Sequence, residues 1–356
     1  MLTALLEHSL AECKLHPLHA HTYRNVEVYS VSSCKICIIP KYILTFNKSA
    51  ALNVSQPSPR FSSLVVGWDY VRKGPLSTAS YDLIQKHLAC VRCKGALTAA
   101  QGRYTCLACD CTYDFADGVF FARERKATHY FDAAHQVMQV GNESPEISTL
   151  CYTQQSHLTT GLIKPGDVVV DIGCGPSIHY EKPCDCVLIG LDPSFESIRA
   201  NLPLDIRIFG GAEAAPFADK SVDRIFLFYS IHHMIGQTVE ENTANLAASL
   251  RECGRMVREN GTLVVFDMSP WWPAWHAQRL AWNSAKGVLA DKLDMYFWRE
   301  SALKDLAEKA VPAKTFDSRS FKVSPFLMFP PVFGLPNFKV PRFLYPFDIK
   351  MYKWSF

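Results

Sequence analysis

No stretch of this chain strings together the roughly 18 apolar residues a bilayer-spanning helix needs, so no transmembrane segment is expected. A strong excess of either charge is also missing. Lys and Arg number 37 against 34 Asp and Glu, a net +3 that does not by itself imply a nucleic acid or a membrane surface. The opening MLTALLEHSL has no basic start and no clear cleavage site, and carries Glu7 with Glu12 soon after, so a signal peptide is not expected and a cytoplasmic location is. The thirteen cysteines do not read as a disulfide framework. Their number is odd and there is no export signal, which favours reduced thiols and metal binding.

What is present falls into four zones. Residues 1–78 show no hydrophobic period, carry scattered histidines and a Ser/Pro-rich run at 47–63, and read as weakly ordered; their lone Cys34/Cys37 pair reads as incidental. Residues 79–126 are a compact cysteine-rich unit, residues 127–270 alternate strand and helix signals, and residues 271–356 are rich in aromatics and proline. In the second zone Cys90/Cys93 and Cys106/Cys109 are two CxxC pairs twelve residues apart. Each pair curls two thiolates toward one point, and two such turns complete a tetrahedral zinc shell with no open position, so the zinc would be structural. Gly95 and Gly102 suit the hairpin between them, and Cys111 is an alternative to Cys109 as fourth ligand. The pairs, followed by Tyr113 and Asp117–Gly118–Val119, resemble the zinc ribbon of the activator subunit that partners tRNA, rRNA and protein methyltransferases, and the zinc module of rRNA guanine methyltransferases.

The third zone turns on VVVDIGCGPS, residues 168–177. Val168–Val170 read as a strand buried on both faces, ended by Asp171. Gly173 and Gly175 then let the backbone turn sharply and let a ligand approach it. A dinucleotide fingerprint would need a third glycine at position 178, which is Ile178. A second apolar strand, VLIGLD, ends in Asp192, nineteen residues after Gly173, where a carboxylate can accept both hydroxyls of a ribose.

These two motifs, with GGAEAAPFADKSVDRIFLFYSIHHM and LRECGRMVRENGTLVVFDMSP in order, resemble the successive motifs of class I S-adenosylmethionine-dependent methyltransferases, in particular the ubiquinone/menaquinone group, over roughly residues 145–270. The resemblance implies an α/β fold: a Rossmann-like seven-stranded class I methyltransferase sheet, here with a small N-terminal zinc ribbon. It implies that Asp171 and Gly173 contact the methionine part of S-adenosyl-L-methionine, that Gly175 lines the same turn, and that Asp192 holds the ribose. Pro193 would flank the adenine, Ala212 would offer it a backbone N–H with Glu213 beside, and Phe228 through His233 would face the transferred methyl. Three departures stand out. Ser177 replaces a glycine, Gly211 stands where many relatives carry an acid, and the Pro183-containing link from Gly175 to Val187 leaves little room for the first crossover helix.

Methyl transfer from a sulfonium is an in-line displacement governed by positioning, with a base useful if the acceptor must lose a proton. His232 and His233 at a strand end are the candidate bases; packing or capping is the competing role. FYSI stands where adenine and glutamine N-methyltransferases carry Asn-Pro-Pro-aromatic, which argues against those acceptors. Trp271, Trp272 and Trp275 lie where class I enzymes build the acceptor pocket. From Lys314 on, seven Lys/Arg against two Asp interleave with aromatics, a pattern that fits single-stranded nucleic acid, an anionic membrane surface or, the reading preferred for residues 271–356, the last strands of the sheet with a proline-rich cover over the substrate cleft. The expectation is a methyltransferase acting on oxygen or carbon of a small, apolar or aromatic acceptor. The alternatives are an RNA methyltransferase with the ribbon as RNA contact, and a non-catalytic cofactor-binding scaffold.

Overall fold

The computed structural model describes residues 78–356 apart from 101, 125–144, 184, 290–292, 323–325 and 329–338, together with short strands at His21–Tyr23, Val26–Val28, Leu44–Thr45 and Asn53–Val54. Residues 1–73 and 74–356 are separate compact units. The expected weak order of residues 1–78, and the Cys34/Cys37 pair, lie mostly or wholly outside the described residues.

The second unit runs α1 (Thr78–His87), β1 (Leu97–Ala100), β2 (Arg103–Cys106), β3 (Thr112–Ala116), β4 (Val119–Phe121), α2 (Pro145–Leu162), β5 (Val168–Ile172), β6 (Val187–Asp192), α3 (Phe195–Ala200), β7 (Ile206–Phe209), β8 (Val222–Phe228), α4 (Val239–Met256), β9 (Val257–Pro270), α5 (Trp272–Leu289), α6 (Glu300–Ala310), β10 (Thr315–Ser320), β11 (Phe326–Met328), β12 (Lys339–Pro341) and β13 (Phe347–Ser355). One eleven-stranded sheet has the order β10-β13-β9-β8-β5-β6-β7-β4-β3-β2-β1. Strands β5 to β9 are mutually parallel, and β13 is antiparallel to both β9 and β10. The seven strands from β10 to β7 are the expected Rossmann-like sheet. Their apolar runs explain the arrangement: all seven residues of β8 are buried, as a strand covered on both faces requires.

Helix α4 covers one face. Thr238 caps it by accepting from the Glu241 N–H at 3.1 Å, and Leu246, Leu250 and Cys253 recur at helical spacing on its buried side. On the other face no helix links β5 to β6 among the described residues, as the short Pro183-containing link led one to expect. Tyr180 fills that place, its ring stacked on Phe228 at 5.6 Å and tilted on Phe226.

The sequence pattern did not show that the cysteine unit is a continuation of the main sheet. Strand β4 pairs in parallel with β7, Phe120 opposite Ile208 and Phe121 opposite Phe209. The antiparallel strands β3, β2 and β1 follow. Further ties are Ala89 N–H to the Pro216 carbonyl at 2.8 Å and Lys94 to Glu252 at 3.1 Å. The exposed edge of β7 is thereby covered.

Among the described residues, the basic, aromatic C-terminal stretch contributes strands β10 to β13. In β13 Met351, Tyr352 and Trp354 are buried, while Lys350 pairs with Glu300 at 2.5 Å and Arg342 with Asp348 at 2.5 Å. Its aromatics are the inward face of a final strand. Among the described residues, no helix is long and apolar enough to cross a membrane.

Candidate functional site

The site forms at the carboxyl ends of β5, β6, β8 and β9. Both turn glycines have positive φ, +68° at Gly173 and +59° at Gly175. A Cβ on Gly173 would stand 2.5 Å from Ser230 Cβ, so only glycine lets the turn lie against the end of β8. A Cβ on Gly175 would meet nothing within 4 Å; that side of the turn faces open space. The turn is held from the next strand. Asp192 accepts from Gly175 N–H at 2.8 Å and from Ser194 N–H at 2.8 Å, and Asn201 donates to the Gly175 carbonyl at 3.0 Å. Ser194 is the N-cap of α3, accepting from Ser197 N–H, so capping is not the function of Asp192.

Around this turn several buried polar atoms have no hydrogen-bond partner: both Asp171 carboxylate oxygens, the Tyr180 hydroxyl, Ser230 Oγ and Asp267 Oδ2. Each such atom costs about 1–3 kcal/mol in an otherwise satisfied interior. Asp171, Ser230 and Asp267 stand toward the ends of adjoining strands, where a polar ligand would find these atoms. Burial, which the nearby Tyr180 hydroxyl only partly offsets, raises the Asp171 carboxyl to about 8, and the Asp192 charge adds to the rise. The sign for stability follows. A raised folded pKa means the unfolded chain loses this proton first, so folding is progressively disfavoured as pH rises from the ordinary carboxylate range through about 8. Asp171→Asn should therefore melt at the parent temperature near pH 4 and more than about 2 °C higher near pH 9. Scanning calorimetry at the two pH values checks this; an equal shift at both would contradict it.

After β8 the chain turns through Tyr229 and Ser230 into a 3₁₀ turn, Ile231–His233. Tyr229 has φ +49°, a strained position for a bulky residue, and its hydroxyl accepts from Gln155 Nε2 at 2.7 Å. His232 and Asp267 are 4% and 2% exposed, and His232 Nδ1 is 2.7 Å from Asp267 Oδ1. His233 Nδ1 instead donates to the Asp294 carbonyl at 3.0 Å. The two predicted histidines thus have different surroundings, one on a carboxylate and one on a main-chain carbonyl.

The other expected residues fall as follows. Ala212 opens a 3₁₀ turn after β7, where backbone N–H groups lack intrahelical partners, and Glu213 beside it is exposed. The Pro193 carbonyl accepts from Arg123, whose guanidinium stands 5.0 Å over the Phe209 ring. The Phe228 ring is buried, stacked at 4.6 Å on Phe266, and Ser230 is the residue of that strand end that meets the glycine turn. Trp271 and Trp272 are 38% and 60% exposed, whereas Trp275 is buried against Tyr296 and Trp298. Trp275 therefore supports the 293–298 segment, whose Tyr296 N–H donates to the His232 carbonyl. Asp267 was not singled out from sequence, and Tyr229 entered only within the range Phe228 through His233. Asp267 ends an apolar run as Asp171 and Asp192 do, and that shared pattern was the available signal; Tyr229 gave none.

In the cysteine unit the Sγ atoms of Cys90, Cys93, Cys106 and Cys109 all lie within 4.8 Å of one another, with Cys93 at 3.4 Å from both Cys106 and Cys109. Four thiolates at 2.3 Å from a tetrahedral zinc would be about 3.8 Å apart. The knuckles are alike: Lys94 and Asp110, each just after a pair, have φ +60° and +56°, and donate to the Cys90 and Cys106 carbonyls. Cys109 rather than Cys111 joins the cluster.

A model of the methyltransferase domain family matches residues 170–265. A curated relative, an uncharacterised protein of Methanocaldococcus jannaschii, is 32% identical over 107 residues, 29% of this chain and 37% of its own length. The chain thus spans little more than a third of that relative. Among solved structures, a SAM-dependent methyltransferase of Thermotoga maritima is 17% identical with a TM-score of 0.42, covering 63% of this chain and 97% of its own. A chain from the complex of the Haloferax volcanii Trm112 methyltransferase activator with a methyltransferase is 16% identical with a TM-score of 0.43, covering 64% of this chain and 98% of its own.

Proposed function

We propose that this protein transfers a methyl group from S-adenosyl-L-methionine to oxygen or carbon of a small, apolar or aromatic acceptor. The observation that carries this reading is the glycine turn clasped by Asp192, set among unsatisfied buried polar atoms inside the segment that matches the methyltransferase domain. The residues fit the cofactor. Gly175 presents backbone to open space, Asp192 stands at the next strand end for the ribose, and Asp171 and Ser230 offer polar atoms in want of partners. Ala212 would present its N–H to the adenine. When bound, the cofactor supplies an electrophilic methyl on a sulfonium; the chain orients the acceptor against it and excludes water.

The four cysteines would hold a structural zinc, with no position left for substrate. A small acceptor is favoured over RNA because the aromatics of β13, Phe347, Tyr352 and Trp354, are buried and offer no ring to a base. The test supplies methyl-labelled cofactor with total RNA in one reaction and a cellular small-molecule extract in another. Label should enter the organic extract. Label confined to RNA would overturn the acceptor class, and a protein that binds S-adenosylmethionine but labels neither pool would be a scaffold.

A further inference from the structure

We propose that His232, held by Asp267, is the general base for an acceptor that reacts through a phenol-type hydroxyl. This rests on the methyltransferase reading above and narrows it.

The geometry is specific. Asp267 Oδ1 takes two contacts, His232 Nδ1 at 2.7 Å and the Met268 N–H at 2.7 Å. A carboxylate only accepts, so Nδ1 carries the proton and Nε2 keeps its lone pair. Among the described residues, Nε2 has no hydrogen-bond partner. The ring is flanked by its neighbours. Phe297 packs on it at 5.1 Å, and the His232 carbonyl is fixed by the Tyr296 N–H at 2.8 Å. The pair also belongs to the cofactor end of the sheet: Ser230, two residues before His232, is the residue Gly173 presses against.

An oriented, carboxylate-backed imidazole is needed by some acceptors and not by others. A neutral amine attacks with its own lone pair and sheds its proton afterwards. A hydroxyl becomes a competent nucleophile only as its proton leaves. In the step assigned here, the acceptor oxygen forms its bond to the methyl carbon while the carbon–sulfur bond breaks and its electron pair stays on sulfur. The hydroxyl proton moves to Nε2, and the resulting imidazolium is stabilised by Asp267. The rim offers flat surfaces for an aromatic acceptor. Tyr152, 38% exposed, stacks on His179 with 12° between their planes, and Tyr229 meets Tyr152 edge-on at 5.6 Å. Asp267 is a positioning residue in this scheme, and His232 is the catalytic one.

The test uses the full chain with S-adenosylhomocysteine as the binding probe. Nitrogen-15 NMR of histidine-labelled protein should show neutral His232 protonated on Nδ1. Asp267→Leu should release the proton to Nε2. Asp267→Asn keeps an oxygen acceptor there and should keep the tautomer. A parent protein with the proton on Nε2 overturns the proposal. In a second arm, methyl-labelled cofactor and a small-molecule extract are supplied, labelled product is first hydrolysed in alkali to remove methyl esters, and the remainder is treated with hydriodic acid, which frees methyl iodide from methyl ethers but not from C-methyl groups. Label should be released as methyl iodide. Incorporation should fall about 10²–10⁴-fold in His232→Gln and in Asp267→Leu, and less in Asp267→Asn, with S-adenosylhomocysteine affinity within twofold of parent. Label that resists the acid, no labelled small molecule, or undiminished transfer in His232→Gln each overturns the hydroxyl assignment. Failure of the parent to bind the probe would instead overturn the methyltransferase reading.

Discussion

Cys90→Ser should lose its bound zinc, and with it the order of the four strands that extend the sheet beyond β7. Residues 88–121 bury few large side chains of their own, chiefly Leu97, Tyr104 and Phe120. A module of this length seldom folds without a staple. A structural zinc supplies about 10–16 kcal/mol of apparent binding energy in zinc-finger peptides, enough to decide whether such a unit folds at all. In this chain the consequence spreads. Strand β4 is the hydrogen-bonded neighbour of β7, and Phe121 packs on Phe195 and Phe209 at the edge of the cofactor end. Loss of the metal should bare the β7 edge, lower the melting temperature by about 5 °C or more, and promote aggregation. Cys111→Ser should keep the metal, because Cys111 lies outside the cluster. Zinc analysis and thermal melts of both variants check this. One zinc per chain retained in Cys90→Ser, at unchanged melting temperature, would contradict it.

The second large effect is expected at Asp192. Its carboxylate joins β6 to the glycine turn through the Gly175 N–H and to the start of α3 through the Ser194 N–H. Hydrogen bonds to an ionised acceptor contribute about 1.5–3 kcal/mol each. Removing the acid leaves two N–H groups without that acceptor, frees the glycine turn from the next strand, and removes the group assigned to the ribose. The three losses act on one event, so cofactor affinity in Asp192→Ala should fall about 100-fold or more. Asp192→Asn keeps one oxygen acceptor and should fall between the two.

Particular residues show how far the sequence could be read. Val168–Asp171 and Val187–Asp192 announced themselves as buried strands closed by an acid, because a parallel strand covered on both faces has to be apolar throughout. The Cys90–Cys109 spacing announced a metal knuckle because two thiolates three apart converge on one point. Pairing partners were not written there. Nothing local in Phe120 says that it lies opposite Ile208, since register between distant strands is set only when both meet a common core. The tryptophans show a second limit. Trp275 and Trp282 face inward on α5 while Trp272 faces out, and an apolar ring that fills a core has the same composition as one that lines a pocket. Tyr229 shows a third. Its positive φ is imposed by tertiary contacts, including the Gln155 hydrogen bond, and tyrosine carries no preference for that region. Asp267 was legible in form, as a third acid closing an apolar strand, but its partner His232 lies 35 residues back and only the folded sheet brings them together.

The most direct measurement is titration calorimetry of S-adenosylmethionine into the parent protein and into Asp192→Ala. The account predicts a saturable heat for the parent and a dissociation constant raised about 100-fold or more in the variant, with its fold intact by circular dichroism. Equal affinity in the two proteins would show that the glycine turn and its acid do not hold that compound.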